Sequence, residues 1–229
     1  MAGQRRQAQP LAPLPMAGGG GGVGAEGSME ARALAAGTLQ RFEILPRREW
    51  VEGSDEDHHF RIAEAQFLRT GGGHRVRMVE YVVNPPLLAA FEEKQREFMG
   101  RHGHEGVKTI LSFHGTKTVA AIDNILLNNF DMGRNARGRY GAGLYFSEKA
   151  QVAAGYDRCK QVLLCKLLVG REYRLGGSNP TPGAPGAGGQ PLLGAPLTAG
   201  YDSHVVNDGA EVVLFATAQV LPCYVVHWT

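Results

Sequence analysis

The sequence predicts an α+β fold built on antiparallel sheet, and three observations carry that reading. Short β-branched or apolar runs recur at 75–83, 107–115, 143–146, 161–169, 171–175, 203–206, 211–216 and 219–228. Helical spacings fall between only some of them. The regular β-α-β alternation that a parallel sheet requires is absent, as is any internal repeat. The chain has 229 residues, 43% of them hydrophobic, which suffices for the core of one domain. Its 32 glycines are unevenly placed: residues 1–28 hold 8 of them and residues 176–200 another 8, and the same two stretches hold 8 of the 12 prolines. Such composition gains little from burial and loses much backbone freedom on ordering, so neither stretch is expected in the core.

Taken in order, residues 1–40 read as a Gly/Pro-rich tail with Gly18 to Gly22 as a flexible joint, and within it Met29 to Arg41 has the makings of a short helix. The acidic stretch Glu52 to Asp57 precedes a return of apolar residues at Phe60, Ile62, Ala63, Phe67 and Leu68. Residues 75–83 are β-branched and predict a strand. Asn84 followed by Pro85 and Pro86 predicts a helix start, because asparagine accepts from free amides and proline in the first turn loses no hydrogen bond. Leu88, Phe91 and Phe98 share one face of that helix, which Gly100 would end. After the strand at 107–115, Val119, Ile122, Ile125 and Leu126 predict a helix, with Asn128 or Asn129 as a left-handed cap. A short helix is expected near 148–157 and buried strands at 161–169 and 171–175. Pro222 has no amide proton, so the final strand needs an edge position or a bulge there.

Bulk properties remove several function classes. The 24 basic and 22 acidic side chains leave a formal charge of +2, against a binder that tracks nucleic-acid phosphates by bulk charge. The cysteines Cys159, Cys165 and Cys223 have neither C-x-x-C spacing nor an even count, against a disulfide scaffold or a zinc ribbon. No apolar run nears the roughly 20 residues that span a bilayer, so an intracellular protein, nuclear or cytoplasmic, with no membrane partner is expected. His58, His59, His102 and His104 read as exposed polar segments, and no metal site is expected.

Several residues have both an ordinary and a functional reading. His114 ends an apolar strand before Gly115, where a histidine is structural or a ligand group. Tyr145 reads as a core aromatic and Glu211 as a strand-end charge. Gly141-Ala142-Gly143 precedes a strand and not a long helix, so it is a tight turn that can border a ligand, and not the dinucleotide fingerprint. Arg134, Arg137 and Arg139 form a solvated loop or an anion site.

Their joint order is more informative. FHGT at 113–116, the helix-containing stretch 117–139, YGAGLYF at 140–146, Tyr156, and Glu211 opening EVVLFATAQVLPCYVVHW resemble the catalytic domain of the poly(ADP-ribose) polymerase family, the diphtheria-toxin-like ADP-ribosyltransferases. YDSHVV at 201–206 and RVRMVEYVVNPPLLAAFEEKQREFM at 75–99 are similar to further segments of it, so the resemblance covers roughly 42–229. It implies split antiparallel sheets with inserted helices, a catalytic domain over 41–229 with 176–200 as a surface loop, and the compact form without a helical regulatory subdomain.

The resemblance also implies an activity: transfer of ADP-ribose from NAD+ to acceptor proteins, itself included, as single units or polymer, with NAD+ as co-substrate and no metal. The family's triad falls on His114, Tyr145 and Glu211. Its NAD contacts fall on His114, Gly115, Thr116, Arg134, Tyr140, Gly143, Tyr145 and Tyr156, with Tyr145 and Tyr156 sandwiching the nicotinamide and Gly115 free of a side chain that would obstruct it. A serine common in the family is replaced by Ala153, which keeps a second reading open, a silent domain that binds NAD or a partner. A third is a transferase acting on nucleic-acid ends.

Overall fold

The computed structural model describes residues 27–46, 51–104, 107–135, 137–185 and 192–229. The expected joint at Gly18 to Gly22 lies outside them. Five helices of the described residues, α1 (Met29–Ala36), α2 (Asp55–Thr70), α3 (Pro85–His102), α4 (Val119–Asn128) and α5 (Ala150–Tyr156), surround one nine-stranded sheet. Its strands are β1 (Gln40–Ile44), β2 (Val76–Val83), β3 (Thr109–Gly115), β4 (Leu144–Ser147), β5 (Gln161–Leu168), β6 (Glu172–Leu175), β7 (Ser203–Val206), β8 (Glu211–Leu214) and β9 (Val220–Trp228), in the order β1-β2-β9-β5-β3-β4-β8-β7-β6.

Helix ends follow the local chemistry. Ser54 accepts from the Asp57 amide to start α2. Asn84 accepts from the Leu87 amide, and its own amide group donates to the Leu126 carbonyl at 2.8 Å, so one side chain starts α3 and anchors the end of α4. Asn129 follows α4 at φ 66 and ψ -175, a positive-φ extended conformation and not the left-handed helical cap expected there. The end of α3 lies at Gly103 and not at Gly100. Pro222 falls within β9, a central strand, where the register with β5 jumps between Leu164 and Cys165; the bulge removes the need for its missing proton.

Every neighbouring pair is antiparallel except β6 and β7, and two half-sheets are visible within the whole. β3 and β4 share a single ladder pair, Phe113 with Ser147, and on either side of that seam the ladders are longer. One core cluster, around Phe67, Phe113, Ala153 and Tyr224, lies under α1, α2 and α5; a second, around Ile122, Leu126, Phe146 and Leu163, lies on the other face under α4.

Three expectations change. The tail drawn to residue 40 ends too late, since Met29 and Ala33 of α1 are buried in the core and Gln40 pairs with Val83. REYRL is a half-buried edge strand. The block at 176–200 is more than surface loop: β6 and β7 are parallel neighbours, so the chain between them is the crossover that such a pair requires.

Candidate active site

His114, Tyr145 and Glu211 stand on β3, β4 and β8, three consecutive strands of the sheet. Cross-strand pairing sets their faces. Tyr145 pairs with Val213 and Ser147 with Glu211, so with a period of two Tyr145 and Glu211 share one face, and Phe113 shares it through Ser147. His114 belongs to the other face, where its ring meets Phe130 edge-on at 4.8 Å and Phe146 at 5.6 Å. It lies past the single rung of the seam, and its Nδ1 reaches across to the Tyr145 carbonyl at 2.9 Å. A carbonyl can only accept, so Nδ1 carries the proton and Nε2 of the neutral ring is left as an acceptor. Burial lowers the His114 pKa, which outweighs that hydrogen bond and keeps the ring neutral.

The Tyr145 hydroxyl has two partners. It accepts from the Tyr140 amide at 2.7 Å and donates to the Gly141 carbonyl at 3.0 Å, closing the turn that precedes its own strand. Gly141 takes φ 123 there and a Cβ would meet the Phe215 ring at 2.7 Å, so only glycine fits. Burial raises the Tyr145 pKa, and the carboxylate of Glu211 raises it further, which places a negative charge beside the phenol. Among the described residues, the Glu211 carboxylate is half-buried with no hydrogen-bond or ion-pair partner, although its strand is held by the Ser147 hydroxyl on the Ala210 carbonyl. A half-buried carboxylate with open lone pairs can accept from a ligand hydroxyl or oppose a developing cation.

The remaining candidates surround this row. Arg134 is exposed, 3.4 Å from Asp131, in a 3-10 turn at Met132–Asn135; Arg137 and Arg139 are exposed, Arg139 lying over the Tyr140 ring. Tyr140 is buried, while Thr116 is half-buried after β3. Gly143 opens β4, where a Cβ would lie 2.6 Å from the Leu214 carbonyl. Tyr156 ends α5 with 68% exposure. Gly115 is required for a reason other than the expected one: a Cβ there would run into the carbonyl of Ala153, because α5 packs directly on β3. Ala153 is thus a buried packing residue at the site.

Two histidines taken as exposed are not. His59 stacks on Tyr81 at 3.6 Å with Nδ1 2.9 Å from the Tyr224 hydroxyl, and His102 Nε2 is 2.8 Å from the buried Asp202 carboxylate. Sequence reasoning also passed over His204, which is fully buried beside the Tyr140 turn. No group of three or more potential metal ligands occurs among the described residues, and none of their helices is long and apolar enough to cross a membrane.

Residues 58–229 match the family model of the poly(ADP-ribose) polymerase catalytic domain. The chain belongs to that family. A probable poly [ADP-ribose] polymerase of Dictyostelium discoideum is 24% identical over 181 residues, covering 71% of this chain and 52% of the relative. The chain therefore spans about half the length of the curated relative it matches. The matched region of the polymerase domain contains all five helices but α1 and the start of α2, and all nine strands but β1, so the seam and its three side chains lie wholly inside it.

Proposed function

We propose that this polymerase-family domain is an NAD+-dependent ADP-ribosyltransferase. The observation that carries the reading is the adjacency of β3, β4 and β8, which hold His114, Tyr145 and Glu211: Tyr145 and Glu211 share one face, and His114, on the other, is tied to the Tyr145 carbonyl across a seam joined by one residue pair.

NAD+ already holds a cationic leaving group. The bond between C1′ of the ribose and the nicotinamide nitrogen breaks with its electron pair going to nicotinamide, and C1′ forms a bond to an acceptor oxygen that gives up its proton. The demand on the protein is orientation and stabilisation of an oxocarbenium-like ribose. Glu211 would accept from a ribose hydroxyl, oppose the developing charge and take the acceptor's proton. His114 would accept from the other ribose through Nε2, the nitrogen its tautomer leaves open. Gly115 would pair with the carboxamide through its backbone, with Thr116 beside it. Tyr145 and Tyr156 would offer aromatic faces to the nicotinamide ring. Tyr140 and Gly143 would shape the floor, and Arg134 would meet the pyrophosphate. Acceptors are protein side chains, the domain's own among them, and the product is a single unit or a polymer.

The packing of the Ala153 carbonyl against Gly115 favours one competing reading, a silent domain in which α5 fills the carboxamide position. Incubation with NAD+ labelled on the adenylate side separates the two. Label on protein that is absent with Glu211→Ala supports the transferase, and a ladder or a sharp band on the gel gives the product length. No label and no nicotinamide release above the Glu211→Ala control overturns it. Label removed by nuclease and not by protease would make the acceptor a nucleic acid.

A further inference from the structure

His204 lies in β7 with no exposure at all, in a strand whose four residues are all buried. It pairs with Val213 of β8, and Val213 pairs with Tyr145 of β4, so Tyr145, Val213 and His204 form one row across three strands on one face. Both ends of that row reach the backbone of the same residue, Tyr140. The Tyr145 hydroxyl accepts from the Tyr140 amide, and His204 Nδ1 lies 2.7 Å from the Tyr140 carbonyl. On the far side of the ring the Thr198 amide donates to Nε2 at 3.1 Å, with the Thr198 hydroxyl 2.9 Å away. The two contacts admit one tautomer, with the proton on Nδ1. Phe215 packs on the ring edge at 4.6 Å and Tyr173 at 5.3 Å, so the ring has no freedom to turn. His204 therefore ties the crossover, through Thr198, to the turn at Tyr140–Gly141. Three backbone bonds run beside the tie: Leu192 to Arg139, Gly194 to Gly138, and Ala142 to Ala195, at 2.8, 3.0 and 2.8 Å.

We propose that His204 is a positioning residue that fixes the Tyr140 turn, and with it the arginine loop and Tyr145, in the arrangement that receives NAD+. The inference rests on the transferase reading for its NAD+ part, whereas the anchoring itself is independent of it.

The two nitrogens can be tested apart. Asparagine at 204 places an amide donor where Nδ1 sits and keeps the Tyr140 bond alone; glutamine reaches the Nε2 position and keeps the Thr198 bond alone. Arg137 and Arg139 are exposed and stand in the tethered loop, so limited trypsin cleavage reports its anchoring without any substrate. His204→Gln and His204→Ala should raise the cleavage rate there roughly tenfold, as expected for loss of about one hydrogen bond, while His204→Asn stays near wild type. In NAD+ turnover the first two should raise KM by a similar factor with kcat within about threefold, and His204→Asn should restore KM. Melting temperatures of all three are measured alongside, to separate anchoring from general loosening. Equal cleavage in wild type and His204→Gln, or equal effects of His204→Asn and His204→Gln, overturns the proposal. A wild-type protein without turnover overturns the transferase reading and the NAD+ part, and the trypsin rates still decide the anchor.

Discussion

Tyr145→Phe tests the most consequential division of labour at the site, between the ring of Tyr145 and its hydroxyl. The phenol oxygen is committed to the protein on both sides, accepting from the Tyr140 amide at 2.7 Å and donating to the Gly141 carbonyl at 3.0 Å. Burial and the nearby Glu211 carboxylate both raise its pKa, so it stays a donor at any ordinary pH. Phenylalanine deletes both bonds. Each contributes about 1 kcal/mol net, so the loss is roughly 2 kcal/mol. With a urea slope of about 2 kcal/mol/M, the unfolding midpoint should fall by about 1 M. The aromatic face survives the substitution, so kcat should stay within about threefold while KM for NAD+ rises as the turn loosens. Stability within about 0.5 kcal/mol of wild type would refute the claim that the hydroxyl builds the turn. A collapse of kcat at unchanged stability would put the hydroxyl in the chemistry.

Further outcomes are expected at neighbouring positions. Glu211→Gln keeps the shape of β8 and removes the charge, so nicotinamide release should fall roughly 100-fold or more with an unchanged melting temperature. Gly115→Ala pushes a methyl group into the Ala153 carbonyl, a backbone atom that cannot step aside; a loss of about 3 kcal/mol, or roughly 10 °C in melting temperature, is expected by differential scanning calorimetry. His59 carries a pKa that burial lowers from 6.5 to about 4. Its neutral form is the one the fold accepts, so its contribution is complete above pH 6.5 and is lost as the pH falls towards 4, by at most roughly 3 kcal/mol. Urea titrations of wild type and His59→Gln should therefore converge over that window, and curves that run parallel would exclude the effect.

Much of the architecture is local and could be read in advance. Asn84-Pro85-Pro86 starts α3 because it acts through bonds within a few residues. β1 was missed for the opposite reason. QRFEI is five residues of mixed polarity whose strand conformation is fixed by β2, with Gln40 opposite Val83 and Ile44 opposite Val79. The parallel pairing of β6 with β7 is likewise set by sheet neighbours and not by either segment. At the site, the spacing of His114, Tyr145 and Glu211 is legible only as a resemblance, since adjacency of β3, β4 and β8 is a property of the sheet. His204 gave no signal: its partner is a backbone carbonyl 64 residues earlier, and carbonyls have no sequence identity.

The glycine-rich crossover joins these points. A chain leaving the sheet edge at Leu175 must return to run parallel beside the same strand, and it makes its turns at Gly176, Gly177, Gly183, Gly194 and Gly200, all at positive φ. Its first end holds Asp208, whose Oδ1 accepts from the Ser178 amide at 2.8 Å and hydroxyl at 3.0 Å. Asn207 and Asp208 both have positive φ, at 52 and 56, and such a turn persists only where its surroundings over-determine it. Three residues later stands Glu211. The other end holds the turn before Tyr145 through residues 192–195 and His204. The crossover thus fixes the approach to two of the three side chains at the seam, while the third, His114, is tied across it by its bond to the Tyr145 carbonyl. An excision of the whole block would remove both supports at once and leave the β4–β8 ladder alone to hold Tyr145 and Glu211 in register.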